Sequence, residues 1–158
     1  MGYVLGIDIG RHGAIAFFRD RSLIDIFDMP TLGAGPGGRT EVSAALLASL
    51  VRKLGAETAF IEAVGARPEA APRASFTFGR SRGVVEGVLA ASGLATSWLT
   101  PTAWHAVVGL PAGSSKDQSI AEALRRWPSV APLITRHDRA EAALIGVAGL
   151  IRAEARAL

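Results

Sequence analysis

The chain has 158 residues, 49% hydrophobic and 20% charged, with a net charge of +3, a pI near 10.2 and no cysteine. This balance belongs to a globular rather than a disordered chain, and the lack of cysteine excludes disulfides, thiolate metal sites and cysteine nucleophiles together. No apolar run approaches the roughly 18 to 20 residues of a membrane helix and no leader pattern opens the chain, so the expectation is one cytoplasmic domain over residues 1–158, away from membranes.

The elements read in order as follows. YVLGIDI (3–9) is apolar on both faces, the mark of a central strand covered on both sides, with Asp8 on the face of Val4 and Gly6. GRHG supplies a turn, AIAFFRD a second strand, DRS another turn and LIDIFDM a third strand, which makes a meander. PTLGAGPGGRT (30–40) reads as a mobile loop, and Thr40 as the N-cap of a helix to Leu54 whose stripe is Val42, Leu46, Leu50 and Leu54, with Gly55 as its stop. ETAFIEA (57–63) is a buried strand ending in Glu62. A loop leads to a helix from about Ser75 to Ala91, where Gly83, Gly87 and alanines form a face that another backbone can approach.

LATSWL is the fifth strand. Thr100 and Pro101 open a short helix that Gly109 ends, Ser115 and Gln118 form a capping box for a helix to Trp127, and a last helix runs from His137 to Arg156 with Leu144, Ile145, Ala148 and Ile151 toward the core. The order βββ-α-β-α-β-α-α-α predicts an α/β fold, a mixed five-stranded sheet with helices on both faces.

Four acids stand out. Asp8 and Glu62 end strands that otherwise read as core, and no lysine or arginine within either strand's alternation pairs with them; burying such a carboxylate alone costs several kcal/mol. Asp138 and Glu141, three apart, share one side of the last helix at its start. Taken singly, Asp138 and Glu141 fit a helix N-terminus, Asp8 a hairpin turn and Glu62 the end of an exposed strand. Taken together, four hard oxygen donors without sulfur favour Mg²⁺ or Mn²⁺, and two such ions about 4 Å apart can activate water and stabilise a leaving oxygen in phosphodiester hydrolysis.

Charge is distributed unevenly. Fifteen arginines stand against two lysines, and residues 63 to 136 carry eight cations against four anions, leaving the remainder at −1. Guanidinium suits phosphate through its planar fork, so a basic middle beside acids suits a polyanion held across a metal site; an arginine-rich surface with no such role has the same composition.

GIDIGRHGAIA, FIEAV, GRSRGVVEG, TPTAWHAVVGLP with SKDQS, and HDRAEAALIG, in that order and spacing from Tyr3 to about Leu150, resemble the RuvC-type Holliday junction resolvases, particularly the shorter phage-like members. The resemblance implies a ribonuclease H-like fold and a homodimer that cuts opposed strands of a four-way DNA junction with divalent metal. On it, Asp8 matches the first-strand acid, Glu62 the fourth-strand acid, and Asp138 with Glu141 the final-helix pair, which together are the catalytic and metal-binding set. The helix from Gly79 to Ala91 matches the dimer interface. Arg73, Arg80, Arg82, Lys116 and His12 become candidates for the DNA backbone, and His137 for an auxiliary role beside Asp138. Two features differ from the bacterial members: Glu141 stands where aspartate is usual, and no aromatic closely follows Glu62. Phe76 and Phe78 read as helix core, as do Trp104 and Trp127.

Two other functions fit parts of the sequence. GIDIG also opens the phosphate loop of sugar-kinase-like proteins, but these require a second domain of comparable size. A non-catalytic dimer that binds branched nucleic acid on the same fold is the other.

Overall fold

The computed structural model describes residues 2–33, 40–65 and 69–157. Five strands form the main sheet: β1 (Tyr3–Asp8), β2 (Ala14–Arg19), β3 (Ser22–Asp28), β6 (Thr58–Glu62) and β7 (Ala95–Leu99), in the spatial order β3-β2-β1-β6-β7. The meander is antiparallel, while β6 and β7 run parallel to β1. The doubly apolar β1 is central, as its pattern requires, because parallel neighbours reached by helical crossovers leave no wet face. Two crossovers, α1 (Ala44–Leu54) and α2 (Pro72–Ala91), pack on one face, where Leu5, Ile7, Ile15 and Ile61 meet Leu47, Val51, Val85 and Leu89.

The other face carries α3 (Pro101–Val108), α4 (Lys116–Arg126), a 3-10 segment (Pro128–Leu133) and α5 (His137–Ala157), packed over Val4, Ala16, Phe18 and Phe60. Local signals account for the helix ends. Thr100 Oγ1 accepts from the Ala103 N–H, Gly109 adopts the left-handed conformation that stops α3, and Ser115 with Gln118 completes a reciprocal capping box at α4. Helix α5 is buried nearly all round from Ala140 to Leu150, lying between the sheet and α3 and α4.

Three expectations are corrected. Thr40 is not a cap: Thr40–Val42 is strand β5, paired antiparallel with β4 (Thr31–Gly33) in a separate two-stranded sheet, and Ser43 caps α1 by accepting from the Leu46 N–H. The expected glycine-rich loop lies partly in that hairpin and partly at 34–39, outside the described residues. Consequently the stripe of α1 rotates: Leu47 and Val51 are buried and Leu46 is exposed.

The third correction concerns glycine. A Cβ on Gly83 or Gly87 would meet nothing within 4 Å, so among the described residues nothing covers that face of α2. Close approach occurs instead between β1 and α5, where a Cβ on Gly6 would stand 2.6 Å from the Gly146 Cα, nearer than real Cβ atoms come to backbone. The two backbones touch because neither residue has a side chain. Replacing Gly6 by Ala should therefore force α5 off the sheet and destabilise the protein by about 3 kcal/mol, the upper end of an overpacking penalty, read as a lower urea midpoint. Gly83→Ala, mid-helix and with nothing within 4 Å of its Cβ among the described residues, should stabilise the isolated protomer by about 0.5–1 kcal/mol and so raise its urea midpoint; a Gly6→Ala variant as stable as the wild type would contradict the packing.

Candidate active site

Strand alternation sends Asp8 to the same face as Val4 and Gly6, the α5 face. In the parallel pairing, Ile7 lies opposite Ile61, so Asp8 and Glu62 follow one step further along neighbouring strands at their C-terminal ends. In open α/β sheets this edge is where ligands bind. Helix α5 reaches the same edge with its first turn: Asp138 and Glu141 continue the row Ala142, Ile145, Gly146 and Gly149 that lies on the sheet.

All four acids line one cleft of about 1200 Å³. Their mutual influence is direct. The Asp8 carboxyl is raised well above the usual aspartate range, first by burial, then by the charges of Glu141, Asp138 and Glu62, with the adjoining Asp138 carboxyl adding to the rise. Glu141 is pushed up to about 6 by burial and then by Glu62, with Asp138 adding, while the Ser119 hydroxyl and the Lys116 charge act in the opposite direction. Carboxylates that raise one another in this way form a cluster with more negative charge than its surroundings neutralise.

Supporting contacts orient these side chains. The buried indole N–H of Trp104 donates to Glu62 Oε1 at 2.9 Å, and the buried Ser119 hydroxyl donates to Glu141 Oε1 at 3.3 Å. His137 Nε2 lies 3.1 Å from Asp138 Oδ1. Arg136 donates to the Gly13 carbonyl at 3.2 Å and to Asp28 Oδ1 at 3.0 Å, and its other nitrogen stands 3.8 Å from Asp138 Oδ2. It thereby joins the turn after β1, the end of β3 and the start of α5. Trp104 was expected in the core and is there; its link to Glu62 was not expected, although a buried indole generally needs an acceptor. Ser119 and Glu41, which also lines the cleft, were missed altogether.

The remaining candidates divide. His12, Arg73, Arg80, Lys116 and His137 line the cleft. Arg82 does not: its guanidinium donates to Glu86 and to the Val64 carbonyl, and lies 4.5 Å over the Trp98 ring. It fastens α2 to its neighbours, so its expected role on DNA does not follow from its position. Phe76, expected in the helix core, is 72% exposed and lines the cleft, whereas Phe78 lines the cleft and packs partly against the core. His105, beside Trp104, also faces the cleft.

The donor set fits a hard divalent cation in chemistry: carboxylate oxygens only, in excess of local positive charge. Among the described residues, however, no three His, Asp or Glu side chains stand ready-made around one ion position. A bound cation would have to draw the carboxylates inward.

An acid whose folded pKa exceeds its unfolded value binds its proton more tightly when folded, so its contribution to stability is greatest below the unfolded value and is lost as pH rises through the folded one. For Glu141 the window runs from 4.5 to about 6, and Asp8 acts in the same direction. The metal-free protein should accordingly melt at a higher temperature near pH 5 than near pH 7.5, and Asp8→Asn should raise the melting temperature near pH 7.5 and shrink the difference between the two. An Asp8→Asn variant that melts lower at both pH values would mean that the four charges do not repel one another as described.

No protein-family model matches the sequence, and no curated protein matches it. Solved structures do match. Thermus thermophilus RuvC is 13% identical, with 98% of this chain and 96% of that one covered at a TM-score of 0.61. T. thermophilus RuvC in complex with Holliday junction substrate is 11% identical, covering 97% and 96% at 0.61. Fowlpox virus resolvase in its complex with substrate Holliday junction DNA is 16% identical, covering 94% and 99% at 0.60. The chain therefore has the ribonuclease H-like fold of the RuvC-type Holliday junction resolvases.

Proposed function

We propose that the chain is a structure-selective endodeoxyribonuclease that hydrolyses phosphodiester bonds in four-way junctions or related branched DNA with Mg²⁺ or Mn²⁺, two ions per site. One observation carries the reading: Asp8, Glu62, Asp138 and Glu141, from three distant parts of the chain, line one cleft, where burial and then their mutual charges push Asp8 and Glu141 above ordinary carboxylates. Neighbours of the same fold that are described with Holliday junction substrates support the choice of substrate.

Those four residues would hold the cations, whose chemistry is to make a water nucleophilic and to stabilise the leaving oxygen. The chain's own part is positioning. Trp104 and Ser119 hold Glu62 and Glu141 in orientation, and Lys116, Arg73 and Arg80 on the cleft walls offer donors to the DNA backbone. Phe76, an exposed aromatic in the same cleft, presents a face on which an unpaired base can stack.

A homodimer belongs to the same reading, since a four-way junction offers two opposed strands. Helix α2 supplies a surface for it, with Gly79, Gly83 and Gly87 open to close approach by a second backbone. The reading as a non-catalytic binding dimer draws on the lack, among the described residues, of a ready-made ion position.

Incubation with a labelled four-way junction and Mg²⁺ or Mn²⁺ separates the two. The wild type should cut symmetrically and sediment as a dimer. Asp8→Asn should lose cleavage to background while its junction affinity stays within about threefold. Binding without cleavage by the wild type would establish the non-catalytic reading, an Asp8→Asn variant that cuts at the wild-type rate would end the acid-cluster mechanism, and a purely monomeric protein would remove the dimer.

A further inference from the structure

A cleft that accepts DNA has no obvious use for a carboxylate on its wall, yet Glu41 is there. It belongs to β5, in the two-stranded sheet that lies against α2, and both of its oxygens meet one nitrogen of Arg80: Nη1 to Oε2 at 2.6 Å and Nη1 to Oε1 at 2.8 Å. Both partners line the cleft. Arg11, Arg73 and Arg80 are its arginines, and among the described residues Arg80 is the one in an ion pair with a carboxylate.

Fastening the hairpin to α2 does not require this pair. Val42 is buried in the core cluster that it shares with Leu47 and Val51 of α1 and Val85 and Val88 of α2, which already seats β5, and the Ser43 N–H donates to the Pro30 carbonyl at 2.9 Å, which closes the base of the hairpin itself. The pair itself is accessible, with the Arg80 side chain 56% and the Glu41 side chain 33% exposed. An ion pair this wet is weak and exchangeable. A carboxylate offers a guanidinium the same paired oxygens as a phosphodiester, so the two anions compete for one site.

We propose that Glu41 acts as a stand-in for backbone phosphate: it occupies Arg80 in the DNA-free protein, gives the guanidinium up when DNA fills the cleft, and so sets how readily the cleft accepts DNA. The inference rests on the cleft being the DNA-binding surface. It makes Glu41 a determinant of affinity outside the acid cluster, acting only through Arg80.

The test is a double-mutant cycle read by fluorescence anisotropy with a labelled four-way junction, in the absence of divalent cations so that no strand is cut. Glu41→Gln should bind about two- to five-fold tighter than the wild type, the range expected when an exposed ion pair no longer has to be broken. Arg80→Ala should bind more weakly, and adding Glu41→Gln to Arg80→Ala should then change nothing. Equal tightening in both backgrounds would reduce Glu41 to a general negative charge and overturn the proposal, as would weaker or unchanged binding by Glu41→Gln alone. If the wild type fails to bind the junction, the DNA reading of the cleft fails first, and that outcome is distinct from a wild type that binds normally while Glu41→Gln has no effect. Unchanged melting temperatures across the four proteins, expected of surface substitutions, keep the cycle interpretable.

Discussion

The contact of Gly6 with Gly146 sets the position of everything that matters in the site. A helix normally packs on a sheet through side chains; here the backbone of α5 rests on the backbone of β1. Asp8 lies two residues beyond Gly6 on the strand, and Glu141 and Asp138 lie five and eight residues before Gly146 on the helix, so a shift of the helix by one side-chain layer would part the acids. A second glycine, Gly149, gives way to the Phe60 ring on β6, the strand that carries Glu62. Sequence economy of this kind, small residues in the middle and acids at the rim, converts a packing constraint into a charge cluster.

That cluster is costly to the fold. Burial and mutual repulsion raise Asp8 and Glu141 above ordinary carboxylates, and no guanidinium in the described residues sits squarely on them; Arg136 approaches Asp138 at 3.8 Å but is committed to Asp28 and the Gly13 carbonyl. Around the acids the walls turn positive, with Arg73, Arg80 and Lys116. On the proposed function, a phosphodiester drawn by the walls would arrive at a floor that repels it, and cations on the floor would resolve the conflict. The proposed role of the Glu41–Arg80 ion pair extends the same principle to the wall, with an anion already in place that a competing one would displace.

Much of this was legible in the residues. The central place of β1 followed from its double apolarity, the caps of α3 and α4 from single residues such as Thr100 and Ser115, and the acid set from carboxylates at the ends of apolar strands, where local pairing offers no relief. Local rules failed where the decisive partner was distant. The hairpin of β4 and β5 forms from segments that read as loop and cap, and the correct cap of α1, Ser43, lies three residues on. Gly83 and Gly87 have the spacing of a close-approach face but no neighbour among the described residues, whereas Gly6 and Gly146, 140 residues apart, have no spacing to reveal them. Trp104 and Glu62, Ser119 and Glu141, and Arg82 over Trp98 are likewise pairs that only the fold brings together, and Phe76 is exposed because its position on α2 turns to the cleft rather than the core.

The central claim is that these four carboxylates form one unneutralised centre that takes a divalent cation, and calorimetric titration with Mn²⁺ at pH 6 addresses it without DNA or turnover. Glu141 is pushed up to about 6 and Asp8 is raised as well, so binding to the wild type should release protons, visible as a heat that changes with the ionisation enthalpy of the buffer, and Asp8→Asn should bind Mn²⁺ more weakly. Saturable binding that is identical in the two proteins, or no binding to the wild type at millimolar Mn²⁺, would contradict it.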